Sequence, residues 1–464
     1  MNKSVKKIML MIGVCMSIAG ANPQNSVAKA KSALPQFKQI RLENGLEVVV
    51  IPLDNKSGVI QTNVFYKVGS RDEVMGKSGI AHMLEHLSFK STKNLKAGQF
   101  DEIVKGFGGT NNAATSFDYT QYYIKSSAAN VDKSLELFSE LMENLSLNDK
   151  EFQPERQVVA EERRWRTDNS PVGYLYFRFF NTAFLHHSYH WTPIGFMGDI
   201  LGWDIGDIRE FYQQYYQPNN AIVVVAGDIE PKIVFESAKK HFSKIKNVPK
   251  NSQKEHSQNL TQNAQNQVPR PAIIEPAQDG YREVIVKKES EIEWLLMGYK
   301  IPNFEDKDQV ALSALAEILS GGKSALLDAE LVDKKNIASE VSASAMALKD
   351  SGIFMLMAAG NAGVEAKKLQ KEILAILERV KKGKITQKEL DKVKVNMRAN
   401  FVFGLNKASS VAGIFGRYLV MGNLTPLLEY EDRFANLTLE DIRAVANKYF
   451  IEDGLTVAIL KNRI

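Results

Sequence analysis

The sequence predicts an α+β protein built from two similar units, each an antiparallel-rich mixed sheet packed by helices. Three observations predict it: strand-like runs interleaved with helical periodicity, a polar stretch dividing the chain near residues 250–280, and a helix–strand pattern that recurs on both sides of it. At 464 residues, 44% hydrophobic and 24% charged, the chain exceeds one ordinary core and has the content of a multi-unit globular protein.

The strand signal is strongest early. Ile40 to Pro52 and Val59 to Val68 are rich in Val, Ile and aromatic residues, with a Glu43-Asn44-Gly45 turn signal inside the first, and they read as a paired set of strands. Helical patterns follow at about 79–90, 97–107, 130–145 and 150–168, separated by a Ser/Thr-rich extended segment at 110–127. This order is α+β rather than an alternating parallel sheet.

From Asn247 to Gly280 the composition turns Asn/Gln-rich and then proline-bearing (Pro269, Pro271, Pro276), too poor in apolar surface to fold alone. It is expected to be a linker between units at 36–246 and 281–464. On one side Asp207-Ile208-Arg209 and Tyr215 precede the run Ala221 to Ala226; on the other, Asp441-Ile442-Arg443 and Tyr449 precede Leu455 to Leu460 at nearly the same spacing. A duplicated unit ending in a helix and a strand accounts for both.

The first residues have the form of a secretory signal: Lys3, Lys6 and Lys7, an apolar run from Ile8 to about Ala19, then Ala19-Gly20-Ala21. Cleavage after Ala21 is expected, with export to the periplasm or the outside medium and no stable membrane span in the mature chain. Removing those three lysines takes the formal charge from +5 to about +2, which excludes a nucleic-acid reading on charge alone. Cys15 is the only cysteine and lies in the leader, so the mature protein must build any metal site from His, Asp and Glu.

Such a site is signalled by His82-Met83-Leu84-Glu85-His86. Residues three and four apart share a helix face, so His82, Glu85 and His86 project together while Met83, Leu84 and Leu87 pack. Two imidazoles one turn apart can hold zinc, and a carboxylate beside them can take a proton from water; this is the inverted H-x-x-E-H pattern. Catalytic zinc needs a third protein ligand, and the helical run Glu155 to Arg164 offers it. Glu155 and Glu162 are two turns apart on one face, whereas Glu161 points about 100° away. Glu162 is the expected ligand, Glu155 a supporting carboxylate and Glu85 the catalytic base.

With these residues, nearly the whole mature chain resembles the pitrilysin-like metallopeptidases, which include insulin-degrading enzyme and the mitochondrial processing peptidase. The resemblance carries the family's histidines onto His82 and His86, its base onto Glu85, its third ligand onto Glu162 and its further glutamate onto Glu155. It implies one zinc ion per chain and hydrolysis of unfolded peptides or presequence-like segments. Gly108 to Tyr123 resembles the family segment bearing an edge strand that pairs with substrate backbone, which makes Asn112 and Ala113 the expected substrate contacts. His186, His187 and His190 resemble a family segment that is structural.

One departure stands out. The family's second unit supplies an arginine and a tyrosine seven residues apart, and the matching positions here are Val332 and Ser339. Arg417-Tyr418 is adjacent rather than spaced and does not restore the pair. The resemblance therefore implies half of a clamshell, the zinc-bearing subunit of a two-chain type, completed by a related partner subunit that carries the pair, with a homodimer as the alternative.

Overall fold

The computed structural model describes residues 32–248, 268, 270 and 273–462. The expected leader, 1–21, and most of the 247–280 stretch lie outside the described residues. Among the described residues no helix is long and apolar enough to cross a membrane.

Two sheets are present. The first contains β1 (Lys38–Arg41), β2 (Glu47–Pro52), β3 (Val59–Tyr66), β4 (Thr110–Thr115), β5 (Thr120–Ser127) and β6 (Ala221–Gly227), in the spatial order β1-β2-β6-β3-β5-β4. The second contains β7 (Arg282–Lys288), β8 (Trp294–Ile301), β9 (Ala338–Met346), β10 (Gly352–Gly360) and β11 (Leu455–Asn462), in the order β7-β11-β8-β10-β9. Without β1 the orders are the same: β2/β6 and β7/β11 are the parallel pairs, and every other pairing is antiparallel. The sequence repeat marks equivalent elements. Helices Ile205–Tyr215 and Leu439–Tyr449 each open with a capping box, Asp204 with Asp207 and Thr438 with Asp441, and lead into β6 and β11.

The expected pairing of the first two strand regions needs correction. β1 and β2 form a hairpin, but β3 does not pair with β2, because β6 lies between them and bonds to both. β6, Ala-Ile-Val-Val-Val-Ala-Gly, is buried along its whole length. A continuous apolar run suits a strand covered on both faces and outcompetes a half-polar strand for the centre of the sheet.

Each half lends a helix to the other, which is why Leu34–Ile464 forms one compact unit. Helix Ala408–Met421 covers one face of the first sheet, packing Val411, Ala412 and Phe415 on Val49, Phe65 and Val224. Helix Pro171–Ala183 covers a face of the second, packing Phe179, Phe180 and Ala183 among Leu296, Ile353 and Ala458. Both contacts depend on a missing side chain: a Cβ at Gly416 would lie 2.1 Å from the Phe65 ring, and one at Gly298 2.5 Å from that of Phe179.

Polar groups join the halves as well. His187 Nε2 and Arg71 Nε lie 3.0 and 3.1 Å from Asp350 Oδ2, and Asp118 Oδ2 accepts the backbone N–H of Lys349 at 3.0 Å. Glu275, near the end of the expected linker, accepts the backbone N–H groups of Leu185, His186 and His187 and pairs with Lys300 Nζ at 2.8 Å. These bonds hold its carboxyl down at about 2, against the effect of its burial. That part of the polar stretch is pinned by charge-assisted bonds despite its low apolar content.

Gly416→Ala should be destabilising. The substitution gains about 1 kcal/mol of helix propensity, but a ring on a central strand cannot retreat, and overpacking costs about 1–3 kcal/mol. A lowered midpoint in urea, with unchanged slope, is the expected result.

Candidate metal centre and active site

Helix Ile80–Leu87 is anchored by Ile80, Ala81, Met83, Leu84 and Leu87, all buried, so His82, Glu85 and His86 face the remaining side. Its start has no side-chain cap of its own, since residue 79 is a glycine at φ 85°. Only glycine suits that place: a Cβ would also meet the Ile194 carbonyl oxygen at 2.6 Å. The cap comes from Glu73, 2% exposed, whose carboxylate accepts from the N–H groups of Gly79 at 2.8 Å and Ala81 at 2.9 Å and from the Trp191 indole at 2.7 Å. Burial pushes this carboxyl up to about 8, and the three donors oppose that rise.

Helix Asp149–Arg163, capped by Asn148 accepting from Glu151 N–H at 3.0 Å, lies against the motif helix and supplies two carboxylates. Glu162 Oε2 is 3.2 Å from His86 Nε2 and 3.7 Å from His82 Nε2. Glu155 Oε1 is 2.9 Å from His86 Nδ1, and its other oxygen is 2.6 Å from Lys90 Nζ. Glu161 instead points outward to Arg164. Glu85 reaches the opposite way, accepting the Thr115 hydroxyl at 2.5 Å from β4.

β4 is the edge of its sheet and is bonded to β5 alone. Asn112, exposed, and Ala113, half-buried, line the same cavity of about 580 Å³ as His82, Glu85, His86 and Glu162. All the residues expected at the site therefore meet there. The second histidine cluster does not join them: His187 is taken by Asp350, and His190 Nδ1 lies 2.6 Å from the Phe184 carbonyl.

The electrostatics divide the two imidazoles. Burial, with help from His86, pushes His82 down to about 4, leaving a neutral ring whose lone pair is available. Burial alone would also lower His86, but Glu155 and Glu162 bring it up to about 9. The bond from His86 holds Glu162 below the usual carboxylate range. Burial raises Glu85 despite its bond from Thr115.

Two imidazole nitrogens and one carboxylate oxygen lie within 4.8 Å of one another, and among the described residues this is the one group of three or more His, Cys, Asp or Glu side chains so placed. Three such donors with a side open to the cavity fit a catalytic zinc site, in which the fourth position belongs to water or substrate. Support of the two rings is unequal: His86 Nδ1 meets Glu155, whereas the buried Nδ1 of His82 has no partner among the described residues.

Sequence reasoning missed four contributors. Lys90 and Arg166 were accessible to it, because the predicted helices at 79–90 and 150–168 include both and each stands four residues beyond a site residue, His86 and Glu162. Thr115 shares a strand face with Ala113 and was equally reachable. Glu73 had no signal, because a loop turns it back onto its own helix.

A doubled α+β architecture with a His-His-Glu centre on its first half defines a metallopeptidase type of protein, and comparison with known sequences agrees. Residues 48–182 match the profile described as Insulinase (Peptidase family M16), and residues 202–397 match that described as Peptidase M16 inactive domain. The chain is 53% identical to the zinc protease PqqE of Helicobacter pylori across 99% of both chains. The crystal structure of a protease from Helicobacter pylori, 55% identical, superposes with a TM-score of 0.87 over 92% of this chain and 100% of that one. The periplasmic protease PqqL of Escherichia coli, 19% identical, shares the fold with a TM-score of 0.73, and the match covers 93% of this chain but 48% of that one. The chain belongs to the M16, or insulinase, family of zinc proteases, and it has the extent of one half of a two-half member. His82, Glu85, His86 and Glu162 all fall within the insulinase match, outside the segment matched as inactive.

Two outcomes are expected. Glu155→Gln, which removes the charge behind His86, should weaken zinc binding by about 10–100-fold, measured by competition with a chelating dye. Glu73→Ala leaves three buried donors without an acceptor and should cost about 3 kcal/mol or more, read from denaturant unfolding.

Proposed function

We propose that the chain is the metal-bearing half of a zinc endopeptidase acting on unfolded peptides, presequence-like segments included. The observation that carries this reading is the convergence of His82, His86 and Glu162 on one point, with Glu85 and an open strand edge on the same cavity. His82, His86 and Glu162 would hold one zinc ion, which as a Lewis acid makes water more acidic and polarises a carbonyl.

Glu85 is the general base. Its carboxyl, raised by burial and steadied by Thr115, suits a group that accepts a proton from the attacking water and returns it to the leaving amine. Glu155 holds the His86 ring, and Lys90 neutralises the far oxygen of Glu155. The free edge of β4 at Asn112 and Ala113 takes the substrate as an added strand, so selection favours segments that can extend.

The reading places the catalytic unit at 36–246, a polar linker at 247–280 and the metal-free unit at 281–464. Val332 and Ser339 supply no arginine or tyrosine, and Tyr418 is spent packing against Phe304. A related subunit is therefore the expected partner, facing this half as the two halves of a clamshell. Export follows from the leader ending at Ala21. A scaffold or weakly cleaving peptide-binding subunit is the second reading, favoured by the inactive-domain match and the missing pair.

The test is cleavage of a quenched, unstructured peptide by the mature chain, alone and with a related subunit from the same genome, with zinc content recorded. Glu85→Gln should lower turnover by about 10²–10⁴-fold while zinc stays bound, and activity should need both chains. Activity of the chain alone would remove the partner but keep the peptidase. Bound zinc without Glu85-dependent cleavage in either mixture would favour the scaffold.

A further inference from the structure

The helix that carries Glu155 and Glu162 does not end in an ordinary turn. It widens into a π-helical segment, Arg164–Asp168, immediately after Arg163. Arg163, 3% exposed, locks that segment from within: Nε and Nη2 both donate to Asp168 Oδ1 at 3.1 Å, Nη1 donates to the Gly195 carbonyl, and the guanidinium lies 4.0 Å from the centre of the Phe177 ring. π-Helical insertions of this kind recur at functional sites, where they re-aim a side chain.

The side chain aimed here is Arg166. It lines the same cavity as His82, Glu85 and His86, and its Nη1 lies 3.0 Å from Glu162 Oε1. That is the oxygen of Glu162 turned away from the histidines, because Oε2 is the one facing them. The guanidinium therefore stands across the Glu162 carboxylate from the point on which the donors converge. Its side chain remains 64% exposed and lines the cavity, so N–H donors beyond the one on Glu162 are accessible. The other cation on the cavity wall, Lys90, is engaged by Glu155 at 2.6 Å and only 33% exposed. From the second half, the positions Val332 and Ser339 bring no positive or phenolic group.

We propose that Arg166 is a catalytic residue of this site: its guanidinium donates to the carbonyl oxygen of the scissile peptide bond and stabilises the negative charge that develops there. The inference rests on the peptidase reading above. It deepens that reading by assigning within this chain a positive donor to the reacting carbonyl. A donor already held at the site by Glu162 needs less reorganisation at the moment of reaction, which is where such groups contribute most. Arg166 also restrains Glu162, so the decisive measurement separates substrate contact from ligand support.

That measurement compares wild type, Glu85→Gln, Arg166→Ala, Arg166→Gln and Arg166→Lys in whichever assembly cleaves, recording kcat, KM and zinc per chain. Arg166→Ala and Arg166→Gln are expected to lower kcat by about 10²-fold, with KM changed little and zinc stoichiometry unchanged. Arg166→Lys should retain part of the rate, and millimolar guanidinium should restore part of it to Arg166→Ala. Unchanged kcat overturns the assignment, as does a rise in KM alone, which would mean uniform binding. A fall in activity proportional to lost zinc also overturns it and leaves Arg166 as a support for Glu162. If wild type and Glu85→Gln are equally inactive, the peptidase reading itself fails and takes this inference with it; a Glu85-dependent wild type with an indifferent Arg166 removes only the inference.

Discussion

The closeness of one carboxylate oxygen to two imidazoles, Glu162 Oε2 to His86 and His82, is the constraint around which the first half is arranged. Partly buried ionisable groups that near one another are costly to gather unless each has a counter-group. Here the compensation is spread outward through Glu155 and Lys90 behind His86, Arg166 beyond Glu162, and Thr115 on Glu85. A ligand set held in this way resists collapse before a metal arrives, and the same bonds aim the rings.

Two helices and a strand supply that set, and each is fixed from a different direction. The motif helix is held at its start by the buried carboxylate of Glu73 and by Gly79 tucked under Ile194. The carboxylate helix is held at its end by Arg163. β4 is paired with β5 alone, which leaves the backbone of its outer edge open. Under the proposed reading the chemistry would sit on the two helices and substrate access would be left to an edge that most proteins would cover or blunt.

The second half repeats the strand order but not the chemistry. Its role in this chain is structural through the exchanged helices: Ala408–Met421 closes the first sheet, while Pro171–Ala183, which follows the π segment, closes the second. Because the helix after the carboxylate helix is embedded in the other half, motion between the halves would disturb the ligand geometry. The close contacts of Phe65 with Gly416 and of Phe179 with Gly298 oppose it.

Much was legible in the residues themselves. Spacings of three, four and seven specify a helix face, so His82, Glu85 and His86 could be grouped on one helix and Glu155 and Glu162 on another, with Glu161 set aside, while the family resemblance joined the two groups. The repeat of Asp207 and Asp441 before Tyr and an apolar run identified the equivalent helices because capping is local chemistry. Strand order was not legible: β6 enters between β2 and β3 from some 155 residues further on, since burial on both sides, not proximity in the chain, selects the central strand. Nor could Glu73 or Arg163 be assigned, because their partners are set by how loops and helix ends return upon the body. The sequence by itself determined the donor set and the faces that carry it; the tertiary structure decided which charges stand behind those donors and which edge stays open, because counter-charges and edges are properties of packing rather than of spacing.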